Sequence, residues 1–169
     1  MDDSSNLYAP KYYKHDELPE SLYSEIVSGL WMGGTAEDDW VADGKELADF
    51  NHGIDFDAVV TLFSWAHPMP WGIEELRWGF ADGHIDLVDK IKLFRVVDWA
   101  YERWQSGNKT LIRCQAGLNR SGLITAMVLM KADYSVQEAI ELIRTKRAAI
   151  ALFNNHFVDY IVSLSPSDS

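Results

Sequence analysis

Nine consecutive residues hold the side chains most able to do chemistry: Cys114, Gln115, Ala116, Gly117, Leu118, Asn119, Arg120, Ser121 and Gly122. A cysteine becomes a strong nucleophile near neutral pH when its surroundings hold it as the thiolate. Arg120, six positions on, offers a planar fork to two oxygens of a tetrahedral oxyanion. Gly117 between them lets the backbone turn tightly and approach a ligand. Residues 115–120 therefore read as a loop whose N–H groups face an anion, helped by the positive end of a following helix. Nucleophile and oxyanion clamp arise from one loop. A plain core cysteine followed by a helix cap would leave the spacing of Gly117 and Arg120 unexplained.

Such a loop needs a strand before it and a helix behind it. Residues 110–114 read as the strand, and residues 122–131, apolar almost all round, as a helix buried at the centre of the domain. Open α/β sheets bind ligands at that junction, outside the carboxyl ends of their strands. Residues 26–32 and 57–62 read as further strands, the second buried, and residues 75–80 as another. Residues 35–50 can form a helix, weakened by Gly44. Leu87, Ile91, Phe94, Val97, Tyr101 and Trp104 recur at i+3 and i+4, which predicts a helix with those residues on its buried face, ended by Ser106, Gly107 and Asn108. Ser135 and Glu138 make a capping box ahead of the stripe Val136, Ala139, Ile140 and Ile143. A last helix starts near Asn154 or Asn155 and carries Phe157, Tyr160 and Ile161. Strands interleaved with helices predict an α/β sandwich, with a mostly parallel central sheet flanked by helices. The expected organisation is an amino-terminal arm over residues 1–21, one domain over 22–163 and a flexible tail over 164–169.

Composition narrows the setting. The 169 residues are 47% hydrophobic and 24% charged, enough apolar material for one core, which excludes collagen-like and largely disordered chains. Fifteen Lys and Arg against 26 Asp and Glu leave a net charge of −11, a surface that repels a phosphate backbone and argues against general nucleic-acid binding. One cysteine makes no intrachain disulfide and no Cys-rich zinc site. The five His show no i, i+4 pair, so the expectation is an activity without metal or other cofactor. The start lacks a secretory pattern and no apolar run approaches a membrane span, which predicts a soluble, cytoplasmic protein.

Cys-x5-Arg-Ser after a strand resembles the cysteine-dependent phosphatases, and residues 115–122 are most similar to their dual-specificity branch. Residues 24–34 look like that branch's opening strand, and residues 139–147 with Asn154, Asn155 and Phe157 look like its closing helices. The resemblance implies a phosphatase-like sandwich with the phosphate-binding loop between strand and central helix, a catalytic domain over 22–163, and a phosphorylated protein or peptide as substrate. It also implies phosphomonoester hydrolysis through a cysteinyl-phosphate on Cys114, with Gln115, Ala116, Gly117, Leu118, Asn119 and Arg120 around the phosphate. The family needs a general acid on a separate loop upstream, and Asp82, 32 residues before Cys114, has that position. Asp86 and Asp89 compete for the role, although the first can cap the next helix and the second falls in its first turn. Ser121 is implied to hydrogen-bond the departing thiolate; taken alone it would be a helix cap.

One residue departs from the family pattern: Arg113 stands where His usually precedes the cysteine. Alternation along a strand turns that position away from the substrate. Two rival readings stand beside the protein phosphatase. Asn119 also resembles the loop of the family's RNA 5′-phosphatases, and Lys109, Arg113, Arg144, Lys146 and Arg147 could gather near the site, against which stand the net charge and simple dipole complementation at a helix end. A phosphate-binding module without turnover would have no physical need for an acid on a second loop. Residues 64–72, with Trp65 and Trp71, and Trp78 beyond them, either rim the pocket or pack as an ordinary loop; the bulk of the indoles favours packing.

Overall fold

The computed structural model describes residues 18–35 and 55–166. Five strands, β1 (Tyr23–Val27), β2 (Leu30–Gly33), β3 (Ala58–Thr61), β4 (Glu74–Arg77) and β5 (Thr110–Arg113), form one sheet in the order β1-β2-β5-β3-β4. β1 runs antiparallel to β2, and the other pairs are parallel. Four helices follow the chain: α1 (Lys90–Gln105), α2 (Arg120–Lys131), α3 (Val136–Lys146) and α4 (Asn155–Ser163), with a short 3-10 turn over Ile85–Leu87 before α1. The α/β sandwich with a mostly parallel sheet is as the sequence predicts.

The two central strands are short apolar runs buried along their whole length, β3 from Ala-Val-Val-Thr and β5 from Thr-Leu-Ile-Arg. Their alternation sorts the core. Met32, Val60 and Ile112 face the main core with the helices, while Trp31, Val59 and Leu111 face a smaller cluster with Phe56, Tyr23, Met69 and Ile73. Helix α2 is buried from Ser121 to Leu129, the central helix that its all-round hydrophobicity predicts.

Several local expectations are corrected. Residues 26–32 are not one strand: the chain reverses at Gly29, whose φ of 82° suits glycine, and β1 pairs back on β2. Trp104 Nε1 holds that turn by donating to the Ser28 carbonyl at 2.9 Å. The strand expected over 75–80 ends at Arg77. Helix α1 buries Leu93, Val96, Val97 and Ala100; of the expected face Val97 is buried and Tyr101 and Trp104 pack partly against the core, whereas Leu87, Ile91 and Phe94 are 76%, 70% and 43% exposed. The helix carries two apolar stripes at helical spacing. The stripes share Val97, and the face centred on Leu93, Val96 and Ala100 lies inward, where α1 packs on α2, β3 and β5.

The capping box of Ser135 and Glu138 is formed, and Asn154 caps α4. Leu18 is buried in the main core, so packing begins within the stretch expected as an arm. The helix expected over 35–50 lies, beyond residue 35, outside the described residues, as do residues 1–17 of the arm and 167–169 of the tail. Among the described residues no helix is long and apolar enough to cross a membrane.

Candidate active site

The sheet delivers Cys114 one residue past the end of β5, where its N–H donates to the Gly33 carbonyl at 3.1 Å. From there the loop is shaped by what happens to its carbonyls. Gln115 O accepts from Thr35 N at 2.9 Å and Leu118 O from Leu152 N at 3.1 Å. Ala116 O and Gly117 O accept from the Arg147 guanidinium at 3.3 and 3.0 Å. Because C=O and the next N–H point oppositely across a planar peptide, pinning four carbonyls outward turns the N–H groups of residues 116–119 inward. Gly117 sits at φ 71°, and a Cβ there would come within 2.5 Å of Gly33 C and 2.6 Å of an Arg147 nitrogen. Only glycine fits. Helix α2 opens at the end of the loop, its first-turn amides having no intrahelical acceptor.

Cys114 is 2% exposed and borders the main core. Its Sγ lies 3.2 Å from Ser121 Oγ, a hydroxyl that is itself fully buried. In the neutral form the thiol donates; once the sulfur is ionised, the hydroxyl can donate to it instead. Arg120 reaches across to the segment before the acid, donating to Phe80 O at 3.2 Å, and lies over the Phe63 ring at 5.5 Å. Its other end nitrogen is 3.5 Å from Gln115 Oε1. Its Nε is buried with no hydrogen-bond partner among the described residues.

Of the three candidate acids, the structure brings only Asp82 to this loop. Asn119 Nδ2 donates to its Oδ2 at 2.9 Å, and Asn154 Nδ2 donates to its Oδ1 at 2.8 Å. Asp86 is exposed beside His84, and Asp89 caps α1 by accepting from Lys92 N at 3.1 Å. Residues 115–120 run from Cys114 as one loop into α2, with Ser121 beside the sulfur and Asn119 contributing its side chain to Asp82.

Two arginines have partners that sequence reasoning did not give them. Arg113 turns to the far face of the sheet, as strand alternation predicts, and is buried there. It donates to Thr61 Oγ1 at 2.9 Å, His67 O at 2.6 Å and Glu75 Oε2 at 3.2 Å. Burial alone would raise the Glu75 carboxyl. Hydrogen bonds from Thr61 and Met69 N–H and the charges of Arg113 and Arg77 outweigh it and hold that carboxyl below its usual range. Arg147, read from sequence as dipole complementation, is instead buried behind the phosphate loop, donating also to Ser21 O at 2.6 Å and Ser24 Oγ at 3.1 Å. Burial pushes its guanidinium down to about 10, opposed by the nearby Cys114 and Tyr23. A basic residue at a helix end carries no sequence signal for carbonyls 30 positions away.

Of the other cations of the RNA reading, Arg144 donates to Ala151 O and Leu152 O, both at 3.0 Å, Lys109 lies by the Trp31 ring, and Lys146 is exposed. The expectation that the tryptophans pack inward holds for Trp78, which lies against the main core, and is overturned for Trp65 and Trp71, which are 82% and 103% exposed. The loop backbone is nevertheless tied down, Ala66 O accepting from Arg77 at 2.5 Å and Met69 N donating to Glu75 at 3.2 Å. Among the described residues, no three His, Cys, Asp or Glu gather as metal ligands.

Comparison with known proteins places this geometry. The family model of the dual specificity phosphatase catalytic domain matches residues 81–164. The chain is 34% identical over 129 residues to "Putative tyrosine phosphatase 123R" of Invertebrate iridescent virus 6, a match covering 75% of this chain and 81% of the relative. Among solved structures, human DUSP28 superposes with a TM-score of 0.67 at 20% identity, over 85% of this chain and 92% of that one. OH1 from the Orf virus, a tyrosine phosphatase that displays triple substrate specificity, superposes with a TM-score of 0.70 at 18% identity, over 97% of this chain and 94% of that one. The two structures share the fold.

Proposed function

The chain belongs to the dual specificity phosphatase family, and from that premise we propose that it hydrolyses phosphoprotein monoesters through a cysteinyl-phosphate on Cys114. The observation that carries the reading is the loop around Cys114, its four carbonyls held outward and its amides turned in. A ring of N–H donors matches the three equatorial oxygens of a transferring phosphoryl group, where transition-state charge collects. Arg120, with its unpartnered Nε, adds a charged fork.

In the first step the Cys114 thiolate attacks phosphorus in line, the S–P bond forms, and the bond to the leaving oxygen breaks. Asp82 gives its proton to that oxygen, so an alcohol or phenol departs rather than an alkoxide. In the second step water attacks the cysteinyl-phosphate, the Asp82 carboxylate takes its proton, and the S–P bond breaks to release inorganic phosphate. Ser121, 3.2 Å from the sulfur, donates to the returning thiolate. A free nucleophilic thiol works in a reducing compartment, so we assign the protein to the cytoplasm.

The protein substrate is preferred over RNA because Arg113, Arg144 and Arg147 donate into the fold rather than outward. The test is phosphate release from a phosphotyrosine peptide, a phosphothreonine peptide, a phosphoinositide and triphosphorylated RNA, each with the unaltered protein and with Cys114→Ser. Release from the peptides that disappears in the variant is the expected result. No release from any substrate by the unaltered protein would overturn the catalytic reading, and fastest release from RNA would overturn the substrate.

A further inference from the structure

An asparagine at the start of a helix ordinarily turns its side chain onto the helix's own amides. Asn119 occupies that place before α2 and makes no such bond. Its side chain is 3% exposed and faces two other segments: Nδ2 donates to Asp82 Oδ2, and Oδ1 accepts from Asn154 N at 2.9 Å. Asn154 completes the triangle. Its Nδ2 donates to Asp82 Oδ1 at 2.8 Å and to Gly83 O at 3.0 Å, while its Oδ1 caps α4 by accepting from His156 N at 3.0 Å. The same two segments meet again where the rings of His84 and His156 lie 4.2 Å apart.

Resting on the assignment of Asp82 as proton donor, we propose that Asn119 and Asn154 are positioning residues that hold this carboxyl in place over the phosphate loop before substrate arrives. Each carboxyl oxygen has two lone pairs, and each takes one amide donor here. One lone pair per oxygen is left for the proton that the reaction moves. The clamp therefore fixes the acid without blocking it. A proton donor on an unclamped loop would have to be ordered during each turnover, and that ordering enters the barrier.

The signature is dependence on the leaving group. Asn154→Ser keeps an oxygen to cap α4 and removes both donors to the acid loop. General-acid catalysis is worth about 10²–10⁴-fold, so the variant is expected to lower kcat/KM, which reports only the step that expels the leaving group, for phenyl phosphate by about 10–100-fold. For 2,4-dinitrophenyl phosphate, whose phenolate leaves without a proton, kcat/KM should fall less than about 3-fold. Asn119→Ala should reproduce the pattern by a different lesion. In an Asp82→Asn background, Asn154→Ser should add nothing, because the group it positions is gone. Equal losses across leaving groups, or a loss that persists in Asp82→Asn, would overturn the clamp and leave the phosphatase reading intact. No turnover of either ester by the unaltered protein would instead overturn both.

Discussion

Two buried guanidiniums stand on either side of the nucleophile, and the fold treats them in opposite ways. Arg113 is 4% exposed and lies against a carboxylate, with Glu75 3.2 Å away and Thr61 and a backbone carbonyl completing its partners. Arg147 is 5% exposed and meets only neutral acceptors: three carbonyls and the Ser24 hydroxyl. Among the described residues no carboxylate pairs with it. The difference shows in how the groups titrate. At the paired site the acid is held low, while at the unpaired site burial pushes the arginine itself down to about 10. A buried charge without a counter-charge costs several kcal/mol, so a fold that retains one has somewhere to direct it. Here the direction is the anion-binding loop. Arg113 is part of the scaffold under the tryptophan loop; Arg147 lends its donors and its charge to the loop around Cys114.

That contrast can be attacked from both sides. Removing the sulfur should have the largest effect: Cys114→Ser is expected to lower kcat for p-nitrophenyl phosphate by about 10⁴-fold or more, read by phosphate release. Arg147→Met should follow, lowering kcat/KM by about 10²-fold, the scale seen when one oxyanion donor is lost, because two loop carbonyls are freed to rotate. Arg147→Lys should recover part of the loss through charge but not the fork that holds Ala116 and Gly117 together. Arg113→Met should act on stability instead, by about 3 kcal/mol in urea unfolding, with kcat/KM within about 5-fold of the unaltered protein. Adding Glu75→Gln should restore part of that stability, since the stranded carboxylate is gone. A variant of Arg113 as inactive as that of Arg147 would erase the distinction.

The smallest effect is a pH limb. The folded Glu75 carboxyl titrates below its ordinary value of 4.5, so the stability it contributes is present above that value and lost as pH falls through the lower folded one. Glu75→Gln should flatten the acid side of the unfolding midpoint against pH by under about 1 kcal/mol. An unchanged acid limb would remove Glu75 from the account.

What was legible in the sequence was local. Residues 114–122 carry nucleophile, turn glycine and oxyanion fork in one contiguous stretch, and the buried runs of β3 and β5 declare the central strands without help from elsewhere. Arg113 facing away from the loop follows from alternation alone. What was hidden is long-range or degenerate. Helix α1 has two apolar stripes, and periodicity cannot choose between Leu93 and Phe94; the packing of a neighbouring helix does. Arg147 reaches carbonyls 30 and 31 positions back, and Asn154 reaches Asp82 across 72. Bonds between side chains and distant backbone leave no period in the sequence. Trp65 and Trp71 mislead for the opposite reason, because bulk predicts burial while the backbone around them, tied by Arg77, Glu75 and Arg113, turns them out.

The triangle of Asp82, Asn119 and Asn154 also has an order in time. A chain emerging from the ribosome carries its acid, its thiol and Arg120 well before Asn154 and α4 follow. Nascent protein therefore holds the sulfur and the acid before Arg147 and Leu152 pin the loop and before Asn154 fastens the proton donor. Competence for difficult esters arrives late, when the last described helix docks, and hydrolysis of such an ester can report that docking in a refolding experiment.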